Sequence, residues 1–356
     1  TKVTNGGGGW TDRDRWALTH TFPTTADGSD PALWLDNVVH TGLVDGSAAM
    51  PPTKFGGDAK RNRTYQSQAY TSLSRYRITT VIGELGGVLT VTYADQDCQG
   101  GAPDPATNTT RCYPAYWIPN GQTTPILDWF NKYVVSDVYS SGGTALSKQT
   151  RTHYDYHGGA AWHFDENHLA DPAHRTWSQW RGYGDVSTTT GNPDDPAGPR
   201  TVVKDRFLRG MHGDRATSGT RTVSVTNWLG ENLVDEKQHQ GFKYESLTYL
   251  DGAVNSGSFG TPWSSAATAT DQNGEKSYLT GTAVSRTRDR LAATNSWREK
   301  RTTTTYGASG LPVAVQEEGE VGQAAQTSCA RTTYVANTPA WMLSYPSAAQ
   351  KVSGPC

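Results

Sequence analysis

"SRYRITTVIGELGGVLTVTYAD", residues 74–95, decides the fold class. Two β-branched runs, Arg77–Ile82 and Val88–Tyr93, flank GELGG. A glycine-bearing connection of that length joins two antiparallel strands. The same habit extends outward. "DRWALTHTFP" (14–23) sets Trp16, Leu18, His20 and Phe22 on one side at period two, and "PALWLDNVVHTGL" (31–43) is a second such run. Among 356 residues, Tyr (17) and Trp (12) far outnumber Phe (7), and Gly (38) and Pro (18) supply turns. Thr, Tyr, Trp and Val suit a pleated, half-wet surface. The expectation is an all-β chain of many short antiparallel strands and hairpins. One stretch departs from it. In "TPILDWFNKYVVSDVYS" (124–140), Ile126, Trp129, Phe130 and Tyr133 fall at helical spacing, which predicts a short helical turn feeding a strand.

Lys and Arg number 32 against 34 acids, a net charge of -2, which argues against a general nucleic-acid binder. No apolar run approaches the roughly 18–20 residues that span a bilayer. The chain begins at Thr1 without an initiator Met or apolar leader, so it reads as a processed or truncated piece with any export signal outside it. By proximity, Cys98 pairs with Cys112 and Cys329 with Cys356. Closing the first loop is worth about 3 kcal/mol on the chain-entropy model. No CxxC pair is present, which makes a zinc knuckle a poor reading. Two disulfides in a polar β chain point to a secreted protein; four buried reduced thiols are the alternative.

From residue 150 onward a loose repeat emerges. Thr- and Arg-rich strands end in a tyrosine near a turn, at Tyr156, Tyr249, Tyr306 and Tyr334, with Tyr93 an earlier instance. The spacing is irregular. One such hairpin cannot bury its own face, but many side by side can.

"REKRTTTTYGASGLPVAVQEEGEV" (298–321) and "CARTTYVANTPAWMLSYPSAAQKV" (329–352) carry a resemblance. Thr-rich strand, tyrosine, turn and alternating strand are similar to the Rhs/YD-repeat family, with Gly307 where that family has Asp. "RTWSQWRGYGDVSTTTG" (175–191) and "DRFLRGMHGDR" (205–215) resemble stretches of large secreted Rhs-like proteins of actinomycetes. The resemblance implies a YD-repeat strip of hairpins forming a shell that encloses or presents a C-terminal, toxin-like segment of the same polypeptide. On that basis the chain divides into a β-rich N-terminal region, 1–125, and degenerate Tyr-turn-Gly hairpin repeats, 126–356. Such shells often end in an aspartate-dependent self-cleavage motif. Asp195-Pro196-Ala197-Gly198 is superficially similar, but its mid-chain Pro/Gly setting reads as a turn.

The chemistry candidates begin with "THYDYHGGAAWHFDENH" (152–168). On a strand, His153, Asp155 and His157 share one face and Tyr154 and Tyr156 the other. With His163 returned by a turn at GGAA, this row offers a metal-ligand set; the plainer reading is a polar row opposite tyrosines. The adjacent acids Asp165-Glu166, Asp194-Asp195 and Glu317-Glu318 point to opposite faces and do not make a glycosidase pair. Trp177, Trp180 and Tyr183 offer a sugar-stacking set, or the core aromatics of a sheet poor in Leu and Ile.

Three functions follow in order. The first is a non-catalytic wall segment, whose partner is the rest of its polypeptide. The second is an extracellular carbohydrate-binding module that meets cell-surface glycans. The third is a secreted glycosidase or metal-dependent hydrolase. No cofactor motif is recognised.

Overall fold

The computed structural model describes all residues except 1, 5, 6, 45, 65–69, 99, 100, 145, 146 and 196. About 54% of the chain is strand and about 4% helical, the latter, among the described residues, as 3-10 turns such as Pro172–His174 and Lys237–His239. The protein is all-β.

Two compact units divide the chain. One comprises 1–155, 164–179 and 188–200; the other comprises 156–163, 180–187 and 201–356. The division does not fall near residue 125. It runs through two long strands, where no change of composition marks it. Within the first unit the ladder strands are β1 (Asp14–Thr21), β2 (Trp34–Gly42), β3 (Thr53–Lys60), β4 (Arg75–Ile82), β5 (Val88–Tyr93) and β6 (Val135–Ser141). Each pairs antiparallel with the next in sequence. The opening hairpin forms as expected, with Val81 opposite Leu89 and Thr80 opposite Thr90. Strands β7 (Thr150–His163) and β8 (Gln179–Gly191) contribute residues to both units.

In the second unit the order continues through β9 (Thr201–Phe207), β10 (Lys243–Leu250), β11 (Ala253–Ser264), β12 (Thr280–Leu291), β13 (Ser296–Tyr306), β14 (Pro312–Glu318), β15 (Thr327–Asn337) and β16 (Met342–Ser353). Again each pairs antiparallel with its successor. Apart from the long excursion between Phe207 and Lys243, such a meander forms from local hairpins, so little loop-closure entropy opposes each added strand.

The expected helical turn is absent. Ile126–Asn131 is a strand, paired with Cys112–Trp117 in a hairpin inserted between β5 and β6. Asp128, Trp129, Phe130 and Asn131 are all buried. A strand covered on both faces has apolar residues at adjacent positions, and that mimics helical spacing. Under this hairpin lies Arg63, fully buried and bonded to the Asp128 carboxylate. Its guanidinium also donates to the carbonyls of Tyr70 (2.7 Å) and Thr71 (2.8 Å) and lies over the Tyr70 and Trp117 rings.

The repeat tyrosines have a definite structural task in β5, β13 and β15. Tyr306 lies opposite Pro312 and Tyr334 opposite Pro346, each at a register shift. The tyrosine hydroxyl then reaches back to the preceding strand. Tyr93 donates to the Ile78 carbonyl (2.8 Å), Tyr306 to that of Thr282 (3.0 Å) and Tyr334 to that of Pro312 (3.0 Å). Thr282 is paired with Pro262, which has no N–H to offer. The phenol therefore supplies the donor that a bulge and a proline remove from the ladder. Gly281 makes room: a Cβ there would lie 2.6 Å from the Tyr306 ring. Tyr156 differs, because it sits mid-strand and no reversal follows it.

Both disulfides form as the spacing suggested, Cys98–Cys112 and Cys329–Cys356, with Cα separations of 5.5 and 5.0 Å. Among the described residues, no helix is long and apolar enough to cross a membrane. In the loop containing Asp195, the Gly198 amide bonds back to the Asp195 carbonyl (3.0 Å), a tight turn; Pro196 lies outside the described residues.

Candidate ligand site

The histidine-rich stretch is one continuous strand rather than strand, turn, strand. Gly158 and Gly159 both take φ of +76°, and the chain continues extended to His163. The expected turn at GGAA is a bulge, so His163 is not folded back onto the row. In the first unit, the row's start does come together. His153 Nδ1 lies 2.7 Å from Asp137 and Nε2 lies 3.2 Å from Asp155. Asp137 also accepts from Arg151 at 2.7 Å. Burial works to raise the Asp137 pKa, but the bonds from His153 and Arg151 outweigh it and hold it below the ordinary range.

Both imidazole nitrogens of His153 are thus engaged by carboxylates. In the second unit, His157 Nε2 meets the Ser187 hydroxyl at 2.9 Å. His163, almost wholly buried, faces Asp214 at 3.4 Å, which in turn meets Arg221 at 3.2 Å. Among the described residues, no cluster of metal-type side chains includes His153, Asp155, His157 or His163. Among the described residues the one trio of metal-type side chains is Asp97, Cys98 and Cys112, and its two cysteines are joined to each other.

The aromatic trio is also divided. Trp177 precedes β8 and packs edge-on against Phe164 at 5.1 Å. Trp180 and Tyr183 meet at 5.8 Å, although three residues apart on a strand they belong on opposite faces. Gly182, at φ +74°, inserts the half-turn that restores them to one face. There they join Trp162 (4.8 Å from Trp180) and Tyr156 (4.7 Å from Tyr183). These rings spend their faces and edges on one another as a half-buried core.

A different site appears in the second unit, on the face of β7–β10. It is a cavity of about 310 Å³, at the lower end of the ~300–1,000 Å³ usual for small-molecule pockets. Pairing of β9 with β10 sets Arg206 opposite Glu245, Lys204 opposite Leu247 and Val202 opposite Tyr249. Asp185 on β8 completes an acid–base–acid row across three strands, bonding Arg206 Nε at 2.7 Å, while Glu245 lies 3.7 Å from Nη1. Burial pushes the Glu245 carboxyl up, and the Trp228 N–H and Arg206 only partly offset it. Burial alone would lower the Arg206 pKa, but the bond to Asp185 and the two nearby acids raise it above its ordinary value.

Trp228 forms the rim. It sits on the turn between the short strands Ser224–Thr226 and Asn232–Val234, and its backbone N–H donates to Glu245. Asn227, itself buried, fixes that turn by accepting from the amides of Leu229 and Glu231 (both 3.0 Å). The indole packs edge-on against Trp297 at 5.5 Å yet stays 44% exposed. On the opposite flank, the Lys204 ammonium lies 4.8 Å over the Tyr249 ring. His157 also lines the cavity, and it and Tyr249 are the two lining residues that the sequence pattern singles out. The signal for the others is a charge at matching places in β8, β9 and β10, readable only once the strands are paired.

No protein-family model matches the chain, and no curated protein matches it.

Proposed function

We propose that the chain is a non-catalytic wall segment of a secreted Rhs/YD-like repeat polypeptide, and that it encloses or presents another segment of that polypeptide. The observation that carries this reading is the tyrosine clip. Tyr93, Tyr306 and Tyr334 each end or nearly end a strand and each bond the backbone of the strand before it. A device repeated from hairpin to hairpin is what a lengthening wall requires, since it joins each added unit to the last. Within each unit, pairing of each ladder strand with the next ladder strand supports the same reading. The two disulfides fit an extracellular setting.

Limited proteolysis of the whole gene product tests the proposal. The segment encoded after Cys356 should contain further tyrosine-tipped hairpins and then a tail that resists protease while joined to this chain. A tail digested as fast when joined as when expressed alone contradicts it, and so does a gene with no such continuation.

A further inference from the structure

We propose that the cavity rimmed by Trp228 is a binding site for a neutral glycan, taking a pyranose ring against the indole face. The inference is independent of the wall reading, and its test uses this chain alone.

Three features carry it. First, Trp228 is an exposed aromatic that is nevertheless fixed, by its N–H bond to Glu245, by the Asn227 turn and by Trp297. A rigid exposed ring offers contact area without an ordering cost on binding. Second, the polar lining mixes acceptors with donors: the carboxylate of Asp185, the ammonium of Lys204, and the His157–Ser187 pair. A pyranose presents the matching surface, with hydroxyls that both donate and accept around an apolar C–H face. Third, the charges offset one another. Asp185 and Glu245 face Arg206, and Asp205 meets Lys243 at 3.1 Å. A phosphate or uronate entering there meets carboxylates without a surplus of cations, whereas an uncharged polyol meets no such opposition.

The test is calorimetric titration of the purified chain with cellohexaose, xylohexaose, mannohexaose and chitohexaose, and with polygalacturonate as the acidic comparison. At least one neutral oligosaccharide should saturate with a Kd of about 1 mM or tighter. Trp228→Ala should weaken that binding by roughly tenfold or more, with the fold retained, since the backbone N–H that bonds Glu245 survives the substitution. Trp341→Ala, which removes a ring that is 78% exposed elsewhere in the same unit, should leave binding unchanged. Saturation by none of the neutral probes, preference for polygalacturonate, or equal binding by the Trp228→Ala variant would each overturn the proposal.

Discussion

Arg63 in the first unit and Tyr306 in the second meet the same need with different chemistry. Each donates to backbone carbonyls that the sheet leaves without a partner. Arg63 does so as a buried cation, tied to Asp128 beneath the inserted hairpin. Tyr306 does so as a neutral phenol stacked on Trp263 at 4.4 Å. A sheet poor in buried Leu and Ile is held by satisfied polar groups as much as by apolar burial. The difference between the units is how much is at stake when one donor is removed. Loss of the cation strands a charge; loss of the phenol strands one uncharged peptide N–H and carbonyl.

The sharpest break of this comparison is Arg63→Ala. It leaves the Asp128 carboxylate buried without its partner, and the expected loss is about 3–5 kcal/mol. Urea unfolding followed at amides of each unit should show the loss in the first unit. Arg63→Lys keeps the charge but cannot fork between Asp128 and two carbonyls, so it should rescue only part.

Acid titration sharpens the contrast. Asp27, in the first unit, accepts from the Ser74 hydroxyl (2.8 Å) and the Ser29 amide (3.1 Å). Burial raises its pKa, but these bonds prevail and hold it far below the ordinary carboxylate range. Its folded pKa lies below its unfolded one, so its contribution is present above about pH 4 and is lost as the pH falls further. Glu245 in the second unit has the opposite sign. Burial raises its folded pKa, so its contribution is greatest in acid and declines as the pH rises through about 4 toward that folded value. Lowering the pH from 6 to 3 should therefore weaken the first unit through Asp27 and relieve the second through Glu245. Asp27→Asn should cost about 1–3 kcal/mol at neutral pH and flatten the first unit's acid dependence. Equal pH profiles for wild type and variant would contradict this.

How much of the structure is legible in the sequence depends on range. The hairpin at 74–95, the cysteine partners and the repeat tyrosines were legible because each is a local signal: period two, proximity, or a ring beside a turn. The strand at Ile126–Asn131 was misread because burial on both faces imitates a helix. The row His153, Asp155, His157 was legible as a polar strand face, but Gly158 and Gly159 carry the chain onward and keep His163 away. Gly182 reversed the expected faces of Trp180 and Tyr183. The cavity was hidden for another reason. Asp185, Arg206 and Glu245 are ordinary charged residues far apart in sequence, and Trp228 lies on a turn. Only strand pairing makes neighbours of them.

Tyrosine hydroxyls complete a ladder interrupted by bulges and prolines. The most direct test is amide hydrogen exchange in Tyr306→Phe. Thr282 both donates its amide to the Tyr306 hydroxyl and accepts from it, each at 3.0 Å. The variant should lose about 1 kcal/mol, and exchange at Thr282 should quicken several-fold while the amides of β4 and β5 keep their protection. Unchanged protection at Thr282, or a loss spread evenly over both units, would contradict the account.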